Sequence, residues 1–185
     1  SGNKLAELPD EGFLFNLSSV RSLNLSHNRI VFFPSEVSNC GALEVLLIDN
    51  NDFKHLPTEM EYFLNLIHLD ASRNRLETLP KEISACQGLK YLVLHSNYLE
   101  HLGGIGGCIS LEIINLSSNK LMELPEDFCE LLHVQRLDLC NNVLTHLPDF
   151  FGDLYSMKTL DLSYNKIQVF PDSMAGMEKL EILKF

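Results

Sequence analysis

One eleven-residue pattern recurs through almost the whole chain and limits the folds that it can adopt. Residues 89–99 read LKYLVLHSNYL, which fits the pattern LxxLxLxxNxL. Complete copies begin at Val20, Leu43, Leu66, Leu89, Leu111, Val134 and Met157. The asparagines at the ninth position of the motif follow one another at steps of 23, 23, 23, 22, 23 and 23 residues: Asn28, Asn51, Asn74, Asn97, Asn119, Asn142 and Asn165. A fixed period of about 20–29 residues predicts structural units that stack and bury their apolar residues against one another.

This motif and its period resemble the leucine-rich-repeat family over essentially the whole chain. The resemblance implies an α/β repeat fold: a right-handed solenoid curved like a horseshoe, with a parallel sheet on its concave face and short helical or 3₁₀ turns on its convex face. Residues 3–185 are then a single domain of about eight repeats, and residues 1–2 resemble a remnant of tag removal. Because the eighth copy stops at Phe185 and leaves core leucines uncovered, we expect the array to be truncated there.

The motif also assigns a direction to each side chain, because strand residues point alternately to opposite faces. We expect motif positions 4 and 6 to point into the core, and positions 3, 5 and 7 to point outward from the concave face. The asparagine at position 9 carries two amide donors and an acceptor. Stacked asparagines are therefore predicted to satisfy backbone groups in the turns of successive repeats.

The part of each copy that follows the asparagine predicts a short helix on the convex face. All seven prolines lie six residues after an asparagine: Pro9, Pro34, Pro57, Pro80, Pro125, Pro148 and Pro171. Acidic residues follow closely: Asp10, Glu36, Glu59, Glu82, Glu126, Asp149 and Asp172. Proline near the first position and acid in the first turn are typical of a helix start. An apolar residue then fills one slot in each repeat: Leu14, Val37, Met60, Ile83, Ile105, Phe128, Phe151 and Met174.

One repeat departs from this arrangement. Gly103 stands in the proline slot, and the sequence Gly103-Gly104-Ile105-Gly106-Gly107 belongs to the repeat that is one residue short. We expect a tighter convex turn there. A phosphate-binding glycine loop would need a strand before it and a long helix after it, and the repeat has room for neither.

Charge and cysteine usage narrow the classes of partner and compartment. A net charge of −11 argues against nucleic acid and anionic membranes, which bind clustered Lys and Arg. No apolar run approaches the ~20 residues that a membrane-spanning helix needs, so membrane insertion is not expected. Cys40, Cys86 and Cys108 occupy a core slot, without the paired cysteine caps of secreted family members. We therefore expect a reducing, cytoplasmic location. The Leu-Pro element with its 23-residue period is likewise similar to intracellular signalling and scaffold members.

The outward columns contain the candidate binding residues. Apolar residues occupy outward positions in the second, fourth and fifth repeats, and polar residues surround or interrupt them. Such a surface predicts a protein-binding site, although strands also favour exposed Val and Ile for their own sake. The candidate residues are Val45, Leu47, Asp49, His68, Asp70, Tyr91, Val93, His95, Ile113 and Arg136. Asp138 beside Asp161 forms a second feature, an acidic stripe suited to a Lys or Arg of a partner.

Catalytic, metal and cofactor sites are not predicted in this segment. Asp49, Ser72 and His95 share a column, but an open sheet offers them neither a pocket nor oxyanion donors. Histidines that share a slot lie two repeats apart, roughly 10 Å by strand spacing, which is too far for one zinc ion. We expect a non-catalytic module that binds a protein partner on its concave face and takes no small-molecule substrate. The resemblance leaves two alternatives: a regulatory or targeting segment of a phosphatase, kinase, GTPase or cyclase, and a fragment of an extracellular receptor.

Overall fold

Eight short strands form one parallel sheet in chain order. The computed structural model describes residues 2–8 and 17–185. Pro9, Asp10 and Leu14, which the sequence assigns to a convex helix, lie outside the described residues. The strands are β1 Ser22–Asn24, β2 Val45–Leu47, β3 His68–Asp70, β4 Tyr91–Val93, β5 Ile113–Asn115, β6 Arg136–Asp138, β7 Thr159–Asp161 and β8 Ile182–Lys184. Each residue pairs with its equivalent in the next repeat, as Leu46 does with Leu69. The predicted horseshoe solenoid is confirmed.

Seven 3₁₀ helices lie between consecutive strands, and their bounds follow the expected slots. They are η1 Ser35–Asn39, η2 Thr58–Tyr62, η3 Lys81–Ala85, η4 Ile105–Gly107, η5 Glu126–Glu130, η6 Phe151–Asp153 and η7 Asp172–Gly176. Backbone bonds of the i→i+3 type close them, as from the Val37 N–H to the Pro34 carbonyl at 3.1 Å. The proline precedes the helix in an extended conformation in five of them, for example Pro34 with ψ 154°.

The glycine-rich repeat forms a shorter helix, as its sequence predicts. Helix η4 has three residues, whereas five of the other helices have five. Gly104 precedes it at φ 74°, a conformation that residues with a Cβ rarely adopt. A Cβ on Gly104 would lie 2.6 Å from the Lys81 carbonyl oxygen. The glycine at this position therefore serves the close approach of two neighbouring turns.

The core consists of stacked columns of aliphatic side chains, and phenylalanine takes the place of an aliphatic residue at some positions of these columns. Motif positions 4 and 6 are buried from the second repeat onward up to the last complete one, as predicted. The phenylalanines Phe53, Phe63, Phe128 and Phe151 and the cysteines Cys40, Cys86 and Cys108 are fully buried. Burial of one such large apolar side chain contributes roughly 1.5–3 kcal/mol. Among the described residues, no helix has the length and apolar character needed to cross a membrane.

The motif asparagines form the predicted ladder through the turns. The Asn97 amide donates to the Ala71 carbonyl at 3.0 Å and to the Leu94 carbonyl at 2.9 Å, and its oxygen accepts from the Leu76 N–H at 3.0 Å. Asn51, Asn74, Asn119 and Asn142 make the same set of bonds. Each side chain thus connects the turn of its own repeat to that of the preceding one.

Candidate interaction surface

The strand register places the outward side chains in three columns on the face of the sheet opposite the core. Val45 pairs with His68, His68 with Tyr91, and Tyr91 with Ile113 in the column of motif position 3. Because parallel strands lie about 4.8 Å apart, neighbours in a column are close enough to touch. The His68 and Tyr91 rings do so edge to face, with ring centroids 5.7 Å apart.

The apolar members of these columns form the concave patch: Val45, Leu47, Tyr91, Val93 and Ile113. Tyr91 is 36% exposed, and the other four are partly buried. The register brings Tyr91, Val93 and Ile113 together on β4 and β5. The β3 residues His68 and Asp70 lie between these three residues and the other two members of the patch, Val45 and Leu47. Arg136 follows Ile113 on β6 and is exposed at the patch margin.

The polar residues at motif position 5 bond to their own backbone, a role that the sequence analysis did not identify. The Asp70 carboxylate accepts the Ser72 N–H at 3.0 Å and the Ser72 hydroxyl at 2.7 Å. The same bond to the N–H two residues later recurs at Asn24, Asn115, Asp138 and Asp161. The sequence does carry a sign of it, since an Asp or Asn at position 5 stands two residues before Ser or Cys in these five repeats.

Asp49 and His95 also have contacts within the chain. The Ser26 hydroxyl and the Asn50 amide donate to the Asp49 carboxylate, and the His27 ring lies 3.6 Å away. Burial raises the pKa of Asp49, but these hydrogen bonds and the His27 charge outweigh it and leave the pKa below its usual value. The His95 Nδ1 lies 3.1 Å from the Ser96 hydroxyl.

The column Asp49, Ser72 and His95 does not form a catalytic relay in its described geometry. The Ser72 hydroxyl donates to Asp70 on its own strand, and His95 contacts Ser96. A serine nucleophile needs a base within hydrogen-bond reach of its hydroxyl, and here that hydroxyl already has a carboxylate acceptor. The arrangement therefore stabilises the strand ends and presents no activated nucleophile.

Among the described residues, Asp138, Cys140 and Asp161 are the group whose side-chain atoms come closest to a metal-ligand set. One ligand atom of each lies within 4.8 Å of the others. The Lys184 ammonium already lies 3.2 Å from the Asp161 carboxylate. Burial raises the pKa of the Cys140 thiol, and the Asp161 and Asp138 carboxylates raise it further. The stripe that the sequence suggested for a partner cation is thus occupied in part by the chain's own lysine.

A second apolar surface, the entry stripe, lies in the turns that lead into the strands. It consists of Ile109, Leu132 and Tyr155, which occupy equivalent slots in three consecutive repeats. They are 50%, 47% and 57% exposed, more than any residue of the concave patch. Strand alternation assigns no direction to turn residues, so the sequence analysis did not find this stripe. The entry stripe is therefore a second candidate for a protein-binding surface, besides the concave patch.

Family models match the chain over more than half of its length. A model described as Leucine rich repeat matches residues 132–184, and a second one of the same description matches residues 19–40, 65–86 and 110–131. Among curated proteins, none matches the chain. These matches agree with the repeat boundaries seen in the sheet.

Similar solved structures share this architecture. The ectodomain of the plant membrane receptor kinase GASSHO1/SCHENGEN3 from Arabidopsis thaliana, in complex with CASPARIAN STRIP INTEGRITY FACTOR 2, is 29% identical with a TM-score of 0.76, over 90% of this chain and 21% of that one. YopM from Yersinia enterocolitica is 27% identical with a TM-score of 0.74, over 100% and 36%. An internalin from Listeria monocytogenes, 22% identical over 93% and 49% with a TM-score of 0.79, shares the fold alone. The chain spans less than half the length of each of these three.

Proposed function

Because the chain belongs to the leucine-rich-repeat proteins, we propose that it is a non-catalytic module that binds a protein partner through its concave patch. The observation that carries this proposal is the register of β4 and β5, which gathers Tyr91, Val93 and Ile113 on one outward face. Aromatic and aliphatic side chains surrounded by polar groups are typical of the centre of a protein interface. The family matches and the receptor ectodomain solved with its bound factor support this class of function.

The polar candidates have a defined part in this proposal. His68 and Asp70 lie between the two halves of the patch, and Asp49, His95 and Arg136 lie around it. Asp70 and Asp49 are held in place by hydrogen bonds from Ser72 and from Asn50. Side chains held in this way lose little conformational freedom when a partner binds. We expect them to contribute to the choice of partner more than to the strength of binding.

The proposal extends to the cellular setting. We propose a scaffold or signalling role in a reducing, cytoplasmic compartment for residues 3–185 as a single domain. The cysteines support this setting, since the five, all within the described residues, are free thiols and three are fully buried. Burial raises the pKa of Cys86 to about 11, so its thiol is unreactive at neutral pH. The alternatives, a regulatory segment of a larger signalling enzyme or an extracellular receptor fragment, use the same surface.

Two matched double variants test the concave patch against the entry stripe. Tyr91→Ala/Val93→Glu alters the patch, and Tyr155→Ala/Leu132→Glu makes a similar change in the stripe. Both pairs are outward side chains, so we expect a melting temperature close to that of the wild type. Proteins captured from cell lysate by each form are compared by quantitative mass spectrometry.

We expect the patch variant to lose a partner that the wild type and the stripe variant retain. Removing a central interface residue typically weakens binding by about 2 kcal/mol or more, or at least roughly 30-fold. If the stripe variant loses the partner and the patch variant keeps it, the binding surface is the entry stripe and the proposal is wrong.

A further inference from the structure

The side chains at motif position 10, directly after the ladder asparagine, form a row in which cations alternate with other residues. Its residues from the first repeat to the seventh are Arg29, Asp52, Arg75, Tyr98, Lys120, Val143 and Lys166. A cation thus recurs at every second repeat, in a chain whose net charge is −11. We name the four cations Arg29, Arg75, Lys120 and Lys166 the cationic ridge.

The backbone holds this row in the same register as the strands. The Arg75 N–H donates to the Phe53 carbonyl at 2.9 Å, and the Tyr98 N–H donates to the Leu76 carbonyl at 2.9 Å. The Lys120 and Lys166 N–H groups make the equivalent bonds at 2.9 and 2.8 Å. Because these bonds join neighbouring repeats as the sheet does, the spacing of the row is that of the strands, about 4.8 Å. Successive cations of the ridge therefore lie roughly 10 Å apart.

Contacts within the row show that its side chains share one surface. The Arg75 guanidinium lies 2.7 Å from the Asp52 carboxylate of the preceding repeat. The Lys120 ammonium lies over the Tyr98 ring, 4.9 Å from its centroid. All four ridge cations are exposed. Asp52 is the one acidic residue in the row, and it pairs with Arg75. The other three ridge cations, Arg29, Lys120 and Lys166, therefore keep their charge available to a partner.

The columns on either side of the ridge differ in their charged residues. Motif position 8, on the side of the concave face, holds His27 and Arg73 and no acidic residue. Position 12, on the opposite side, holds three exposed charged residues, the cation Lys54 and the acids Glu77 and Glu100. Position 8 therefore adds no negative charge directly beside the ridge, and the carboxylate of Asp49, one position further toward the concave face, lies 3.6 Å from the His27 ring.

We infer that the cationic ridge binds an extended acidic peptide segment that carries a carboxylate at every third residue. In a polyproline II conformation three residues make one turn of about 9.3 Å, so every third side chain points the same way. That repeat matches the roughly 10 Å between ridge cations. Nucleic acid fits less well, because its phosphates are much more closely spaced and the net charge of −11 repels a dense polyanion. The ridge lies beside the concave patch, and this inference does not depend on the patch binding anything.

The test uses a fluorescein-labelled peptide of four Glu-Pro-Ser units, whose prolines favour the required conformation. Its affinity for the whole chain is measured by fluorescence anisotropy in about 20 mM salt, where charge screening is weak. A second peptide has the same composition with its four glutamates consecutive. Lys120→Gln/Lys166→Gln removes two ridge charges, and Lys81→Gln/Lys179→Gln removes two exposed charges elsewhere.

We expect the ridge variant to raise the dissociation constant of the spaced peptide about tenfold and the control variant to change it less than about twofold. The spaced peptide should bind more tightly than the clustered one. Equal affinity for the two peptides, an equal effect of the two variants, or no saturable binding to the wild type would overturn the inference. Tighter binding of a single-stranded oligothymidylate, weakened by the ridge variant, would assign the ridge to nucleic acid instead. Tyr91→Ala should leave peptide affinity unchanged, which separates this result from that of the concave patch.

Discussion

At the scale of single residues, the ladder asparagine joins three stretches of backbone. Its amide donates to two carbonyls, one in its own repeat and one in the repeat before, and its oxygen accepts a backbone N–H. The sequence predicts this role because the asparagine recurs at a fixed position of an otherwise apolar motif, where a buried polar side chain needs hydrogen-bond partners. The capping bonds of motif position 5 were not predicted. An outward-pointing side chain at this position can bond either to a partner or to the chain's own backbone, and the strand pattern does not distinguish the two.

Replacing Asn97 with alanine should lower the free energy of unfolding by about 1–3 kcal/mol, because three buried backbone groups lose their partner. Urea denaturation of Asn97→Ala measures it. Asn65→Ala is the matched control, since the exposed Asn65 donates one bond, to the Gly41 carbonyl at 2.9 Å. A loss at Asn97 no greater than that at Asn65 would contradict the structural role of the ladder.

The carboxylate of Asp161 should make stability depend on pH. Burial raises its pKa, but the Ser163 hydrogen bonds and the Lys184 ammonium outweigh burial and leave the pKa below its usual value of 3.8. A pKa that is lower in the folded state contributes stability above the unfolded pKa, and this contribution disappears as pH falls through the folded value. Asp161→Asn should therefore lose less stability than the wild type on acidification below about pH 4. Parallel pH profiles for both proteins, from denaturation curves, would contradict this assignment.

At the scale of elements, the sequence predicts the strands and the convex turns because both depend on local patterns. Alternation within the motif identifies each strand, and the proline with its following acid identifies six of the seven 3₁₀ helices, all but η4. The exact start of the helix is less predictable. Proline fixes φ in either conformation, and in the structure it stands before the helix with an extended ψ. The repeat with the deleted residue and the glycines has the three-residue helix η4, and η6 is equally short in a repeat of ordinary length.

Two adjacent glycines of this turn should differ sharply when replaced by alanine. Gly104→Ala should lower the free energy of unfolding by roughly 2 kcal/mol or more, because Gly104 has φ 74° and a Cβ there would meet the Lys81 carbonyl at 2.6 Å. Gly103→Ala should cost less than about 1 kcal/mol, since its Cβ would lie 3.6 Å from the nearest atom, the Leu79 carbonyl oxygen. Thermal denaturation of the two variants provides the comparison. Equal losses would mean that backbone conformation is not what this position requires.

At the scale of the whole molecule, a nearly constant period determines the register of the sheet and hence the composition of the concave patch. The sequence could therefore predict which residues share a column, and the pairing of Tyr91 with Ile113 confirms that. It could not reveal the entry stripe or the cationic ridge. Both lie in turns, where side-chain direction depends on tertiary packing and no simple alternation applies.

The most direct measurement of the central proposal is site-specific photocrosslinking from the concave patch. A benzoylphenylalanine replaces Tyr91 in one protein and Tyr155 of the entry stripe in another, and each is irradiated in cell lysate. We expect a covalent adduct with a partner from position 91 alone, and we expect Val93→Glu in the same chain to abolish it. An adduct with one partner from position 155, with none from position 91, would contradict the proposal that the concave patch is the binding surface.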